Sequence, residues 1–175
     1  MPELLIHHAV RFVLVRPHYP ENVGAAARAI KTMGFRHLAL VKPGRLARPE
    51  HEMALKMAVK SRDVLGAAPL YESIAEATAD ANLVIATTSR RGVSGVLELR
   101  PAAGLVVERT RAGDRVALLF GNEKTGLTHE EVARAPAQLR IPMAADQPSI
   151  NLAQAVQLVA YELFVAALQA RESTP

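Results

Sequence analysis

Four short, uninterrupted apolar runs recur along the chain: residues 12–15 (FVLV), 38–41 (LALV), 83–86 (LVIA) and 116–120 (VALLF). A strand with one buried face alternates apolar and polar residues, whereas a run that is apolar throughout is buried on both faces. Helical patterns lie between the runs. Asn22 or Glu21 opens a helix that closes at Gly34, residues 50–60 read as helical, and Ser73 with Glu76 forms a capping box at the start of 73–79. Residues 102–110 read as a helix and Thr128 with Glu131 as a second capping box. Residues 139–141 read as a short strand stopped by Pro142, and 151–170 as a long helix. Buried strands alternating with helices specify an α/β fold, a parallel sheet with helices on both faces. The 175 residues suit a single domain over 1–175 with one core, and no internal repeat or linker interrupts them.

Half of the residues are hydrophobic, which excludes a disordered chain. Cysteine is absent, so disulfides and thiolate metal sites are excluded, and the six histidines lack ligand-like spacing; no metal is expected. No apolar run reads as long enough to span a membrane, and the N-terminus lacks a signal-peptide pattern. The expected place is the cytoplasm, with no membrane partner. Residues 1–62 hold 11 Lys/Arg against 4 Asp/Glu, whereas 63–175 hold 10 against 13. A basic first third attached to a mildly acidic remainder suits a surface that faces a polyanion, although a solvated face has the same composition.

Three blocks set polar residues in apolar surroundings: 20–31 (PENVGAAARAIK), 120–127 (FGNEKTGL) and 149–157 (SINLAQAVQ). Polar groups at such places need partners. Taken singly, each has a structural explanation. Asn22 reads as a helix N-cap, 121–126 as a tight strand-to-helix turn with Glu123 either a solvated charge or an acceptor for loop amides, and Ser149 or Asn151 as the cap of the last helix. Gly24, Arg28 and Lys31 share a helix face on which a small residue beside two cations lets a ribose or phosphate approach. Ile150 and Leu152 suit an apolar slot for a planar ring. Leu127 stands where a phosphate-binding P-loop needs lysine, and no G-x-G-x-x-G or G-x-S-x-G motif occurs. The last helix is apolar on nearly every side, which suits burial on all sides, partly by a second subunit.

Together, in this order and at strand ends, the blocks resemble the motifs of the TrmH/SpoU family of RNA 2′-O-ribose methyltransferases in the SPOUT superfamily. The resemblance runs from about Val10 to about Leu168. In the second motif Asn122 and Lys124 stand where the family often has arginines. The resemblance implies a deep C-terminal trefoil knot and a homodimer packed through the first long helix and the last. It implies S-adenosylmethionine (SAM) held by Thr87, Leu119, Gly121, Gly126, Ile141, Ile150 and Leu152. It also implies a catalytic set of Arg28, Asn22, Glu123, Ser149 and Asn151. The substrate implied is RNA, most closely tRNA at ribose 32 of the anticodon loop. Lys31, Arg45, Arg48, Lys56, Lys60 and Arg62 are the candidates for RNA backbone contacts. Alternatives are a knotted RNA-binding module without turnover, a family member acting on rRNA or another tRNA position, and a nucleotide-binding regulator with an ordinary doubly wound sheet.

Overall fold

The computed structural model describes residues 3–89, 94–144 and 150–172. In chain order the elements are α1 (Ile6–Ala9), β1 (Val10–Val15), α2 (Pro20–Thr32), β2 (His37–Val41), α3 (Glu52–Ala58), α4 (Arg62–Gly66), β3 (Leu70–Tyr71) and α5 (Ile74–Ala77). There follow β4 (Leu83–Thr87), β5 (Val96–Glu98), α6 (Leu99–Arg111), β6 (Val116–Phe120), α7 (His129–Ala133), β7 (Ala137–Arg140) and α8 (Leu152–Glu172). The strands form one sheet in the order β3-β2-β1-β6-β4-β7-β5, and every neighbouring pair is parallel.

Alternate residues of each apolar run serve opposite faces. Phe12 and Leu14 of β1 and Leu118 and Phe120 of β6 join a large core under α2, α3, α6 and α8. Val13, Val15, Ala117 and Leu119 join a smaller core closed by Ile74 and Ala77 of α5 and by Leu127 and Ala135 beside α7. Crossovers of one constant hand produce this division, and the rule for parallel strands is the right hand. Steps toward β3 (β1 to β2, β5 to β6) carry their helices on the first face. Steps toward β5 (β3 to β4, β6 to β7) carry theirs on the second. Strand order reverses beside β1, between strands laid down early and late, which is where ligands of open α/β sheets bind at the carboxyl ends.

Several local expectations change. Helix α2 opens at Pro20 with Tyr19 as N-cap, so Asn22 is a buried first-turn residue and not the cap. Gly24 does not face a ligand: a Cβ there would lie 2.0 Å from the Ala54 carbonyl oxygen of α3, so the glycine serves helix packing. The helix expected over 50–60 ends at Ala58, and its C-cap Val59 has a positive φ of 52°. Ser73 accepts from the Glu76 amide, but the Glu76 carboxylate turns to the Glu72 amide, leaving half a capping box. The strand expected over 139–141 spans Ala137–Arg140.

Helix α8 also differs from expectation. Residues Leu152–Arg171, with mean hydropathy 1.4, are long and apolar enough to cross a membrane by length and composition alone. Leu152, Val156, Val159, Ala160, Leu163 and Ala167 nevertheless pack into the first core against α2 and α6, while Leu158 and Tyr161 remain exposed.

The N-terminal turn is fixed by His7. Its ring lies edge-on to Phe35 at 5.4 Å and stacks toward Phe164 at 6.2 Å. Gly34, at φ 88°, comes so close that a Cβ would meet the ring at 2.6 Å. Burial, helped by the charge of His8, pushes the imidazole below its ordinary value of 6.5. The unfolded chain therefore binds the proton more readily than the folded one. His7 stabilises the fold fully above about pH 6.5, and that stability is lost as pH falls through the lower folded value. The urea midpoint of the wild type therefore falls between pH 7.5 and 5.5, and His7→Phe reduces that fall. An undiminished slope in the variant would remove the assignment.

Candidate functional site

The carboxyl ends of β1, β6 and β4 present three loops to one another: 16–20, 121–127 and 87–89. Glu123 is the hub. Its Oε2 accepts from the His18 amide at 2.8 Å, and its Oε1 accepts from the Tyr19 amide and from Asn22 Nδ2, both at 3.1 Å. Asn22 Oδ1 in turn accepts from Asn151 Nδ2 at 3.0 Å. Asn151 Oδ1 accepts from the Ala153 and Gln154 amides and so caps α8. The three polar blocks thus meet in one chain of hydrogen bonds, Asn151 to Asn22 to Glu123. Glu123 accepts from amides as expected, although those amides belong to the loop after β1 and not to its own loop.

Arg16 ties the same loops from the other side, and sequence reasoning missed it. Its backbone is left-handed at φ 53°, and its carbonyl accepts from Asn122 Nδ2 at 2.7 Å. Its guanidinium donates to both carboxylate oxygens of Glu131, at 2.6 and 2.8 Å, and to the Gly126 carbonyl at 3.2 Å. Glu131 also completes the expected capping box with Thr128. The Arg16 guanidinium holds the Glu131 carboxyl below its usual range, and Glu131 raises Arg16 further above its own. The available signal was a cation placed directly after a buried strand. Asn122, standing where the family often has arginine, closes the loop by accepting from the Lys124 and Thr125 amides.

Behind this frame lies a cavity of about 300 Å³. Leu127, Val132, Ile141, Met143, Ile150 and Leu152 supply apolar walls, and Thr87, Thr88 and Ser89 supply hydroxyls. At Gly121 a Cβ would lie 2.3 Å from the backbone of Gly126 and Leu127, so only glycine lets the loop double back here. Gly126 sits at φ 65°. Of the expected SAM contacts, Thr87, Gly121, Gly126, Ile141, Ile150 and Leu152 line this cavity. Leu119 does not: its side chain is buried in the second core, and its carbonyl accepts from Thr87 Oγ1 at 2.9 Å.

Asn22, Glu123 and Asn151 come together, whereas Ser149 lies outside the described residues. Arg28 is exposed on α2 and is not among the cavity-lining residues. Six residues along a helix carry it about 9 Å from Asn22. Arg45, Arg48, Lys56, Lys60 and Arg62 are exposed. Lys31 is engaged elsewhere, donating to both Asp63 oxygens at 2.7 and 2.8 Å and to the Lys60 carbonyl at 2.9 Å. Among the described residues no three His, Asp or Glu side chains gather as a metal site.

Residues 9–161 match the SpoU rRNA Methylase family. The chain is 36% identical to the tRNA (cytidine/uridine-2′-O-)-methyltransferase TrmJ of Yersinia pestis (strain Pestoides F), over 95% of this chain and 64% of that protein. It therefore spans a little under two thirds of that curated relative's length. A crystal structure of a probable methyltransferase from Bordetella pertussis Tohama I superposes with a TM-score of 0.86 at 36% identity, covering 93% of this chain and 96% of that one. The crystal structure of TrmJ from Z. mobilis ZM4 gives 0.80 at 39% identity, over 88% and 67%.

Proposed function

This chain belongs to the SpoU rRNA methylase family, and on that footing we propose that it transfers a methyl group from SAM to a ribose 2′-hydroxyl of tRNA. The observation that carries the reading is the convergence of Asn22, Glu123 and Asn151, from three distant motifs, at the rim of one cavity. The tRNA target rests on the identity to TrmJ proteins, and ribose 32 is the position we propose.

The cavity suits SAM. Its apolar walls match an adenine ring, its hydroxyls match polar edges, and its glycine-constrained loop brings backbone close to a ligand. Thr87, Gly121, Gly126, Ile141, Ile150 and Leu152 are the residues that would hold it. When bound, SAM supplies an already activated methyl group. What remains for the protein is placement and management of one proton. Glu123, Asn22 and Asn151 fix the loops around the cavity, with Ser149 in the same set. Arg28 is no proton acceptor, because a delocalised guanidinium stays charged in proteins. Its role is to hold a phosphate of the RNA and to stabilise charge developing on the ribose oxygen.

We read residues 1–175 as one catalytic domain, acting in the cytoplasm where tRNA is found. β6 and β7 each insert between strands laid down earlier, and the chain then returns to Asn151 beside Asn22. That order supports a C-terminal trefoil knot. Exposed Leu158 and Tyr161 on α8, which packs against α2, support a homodimer through these two helices. The set Asn22, Arg28, Glu123 and Asn151 favours an enzyme over a binding module.

The deciding experiment incubates the protein with radiolabelled SAM and, in separate reactions, unmodified tRNA transcripts and unmodified rRNA, and maps the product. A 2′-O-methyl group at ribose 32 supports the proposal, and one at another nucleotide or in rRNA replaces its target. No transfer to RNA overturns it. Exposed Arg45, Arg48, Lys56, Lys60 and Arg62 should also make tRNA binding salt-dependent. If most of them meet phosphates, affinity falls about 10²-fold between 50 and 200 mM salt. Affinity indifferent to salt would remove the basic patch.

A further inference from the structure

Tyr19 is 42% exposed, yet its backbone is tied to Glu123, a residue that lines the cavity. It is the N-cap of α2, and the following Pro20 opens the helix. The amides of His18 and Tyr19 both donate to the Glu123 carboxylate. The His18 ring stands edge-on to the Tyr19 ring, at 4.7 Å and 89°. Lys124, which lines the cavity, places Nζ 5.7 Å from the Tyr19 ring centroid. That is close to the outer limit of a cation–π contact, about 6 Å, so the ammonium is lightly held and open to an anion.

An exposed aromatic ring gains little from being fixed in a folded chain, because the ordering cost is not repaid by burial. Here the backbone beneath the ring is held by two hydrogen bonds and a proline, and the ring itself lies between the His18 ring and the ammonium of Lys124, which lines the cavity where the methyl donor is proposed to sit. We infer that Tyr19 and Lys124 form a subsite for the nucleotide being modified, Tyr19 stacking on its unpaired base and Lys124 meeting an adjacent phosphate. The inference rests on the reading of the substrate as RNA. It assigns Glu123 a second duty, since one carboxylate holds both the Asn22 network and the stacking platform. Stacking tolerates every base, because each has a π-face. The subsite therefore gives affinity and placement, and leaves the choice of base to other contacts.

The test compares wild type, Tyr19→Ala and Tyr19→Phe with one unmodified tRNA transcript. Loss of a base–aromatic stack raises KM for tRNA in Tyr19→Ala about tenfold. Phenylalanine restores it to within about twofold, because the ring and not the hydroxyl is used. SAM affinity by calorimetry is equal in all three. An unchanged KM in Tyr19→Ala, a Tyr19→Phe variant as poor as alanine, or a loss of SAM binding with the ring would each overturn the inference. Affinity for the same transcript, read by fluorescence anisotropy without SAM, separates this inference from the enzyme reading. Wild type that binds tRNA more tightly than Tyr19→Ala but transfers no methyl would remove the enzyme and keep the platform. Equal affinities would remove the platform.

Discussion

Replacing Arg28 by alanine lowers kcat for tRNA methylation about 10²–10³-fold, the usual cost of removing one electrostatic contact to a developing charge. SAM affinity and thermal stability stay essentially unchanged. The separation follows from where the side chain stands. Arg28 is exposed and lies outside the lining of the cavity, and the bond that Thr32 Oγ1 donates to it at 2.8 Å goes to its backbone carbonyl and not to its side chain. A truncated side chain here removes no buried contact. Arg28→Lys recovers only part of the rate, because an ammonium keeps the charge but loses the planar fork that grips a phosphate at two points. Single-turnover kinetics on tRNA, with calorimetry for SAM, check the split. A variant that methylates at the wild-type rate would end the assignment, and one that loses SAM binding would make Arg28 a structural residue.

The central strands were readable because burial on both faces leaves a one-dimensional mark, an apolar residue at every position. Thr128 with Glu131 was readable, and the cap of α8 was narrowed to Ser149 or Asn151, because caps are local. Strands of two and three residues, β3 and β5, leave no such mark, because an edge strand needs little apolar sequence. Partners far apart in sequence leave none either. Glu123 and Asn22 are visible as polar residues in apolar surroundings, but their contact spans 101 positions, and the Arg16–Glu131 pair spans 115. Helical spacing places Gly24 on a face but does not say what covers it. The covering group is the Ala54 carbonyl, brought there by a short α3 that the sequence extends too far. Strand order was hidden for a related reason. β6 and β7 join the sheet between strands already in place, and no property of their own residues records the neighbours they will meet.

Glu123→Ala should weaken SAM binding at least about tenfold, since a hydrogen bond to a charged group is worth about 1.5–3 kcal/mol and three are lost together. The loop that walls the cavity then loses its tie to β1 and α2. Glu123→Gln recovers little: its single carbonyl oxygen cannot serve three donors, and its own NH₂ is turned toward one of them. Asn22 gives the sharper test, because the chain of bonds has a direction. Asn151 donates to Asn22 Oδ1, and Asn22 Nδ2 donates to Glu123. Asn22→Ala removes both links. Asn22→Asp keeps the acceptor for Asn151 but replaces the donor with a carboxylate facing another carboxylate. At pH 7 the aspartate variant is therefore the worse of the two, in SAM affinity and in melting temperature. Its deficit narrows as pH falls toward the carboxylate range, where one of the pair takes up a proton and becomes the missing donor. Alanine shows no such recovery. An aspartate variant equal to alanine at every pH would mean that Asn22 and Glu123 are neighbours without being coupled.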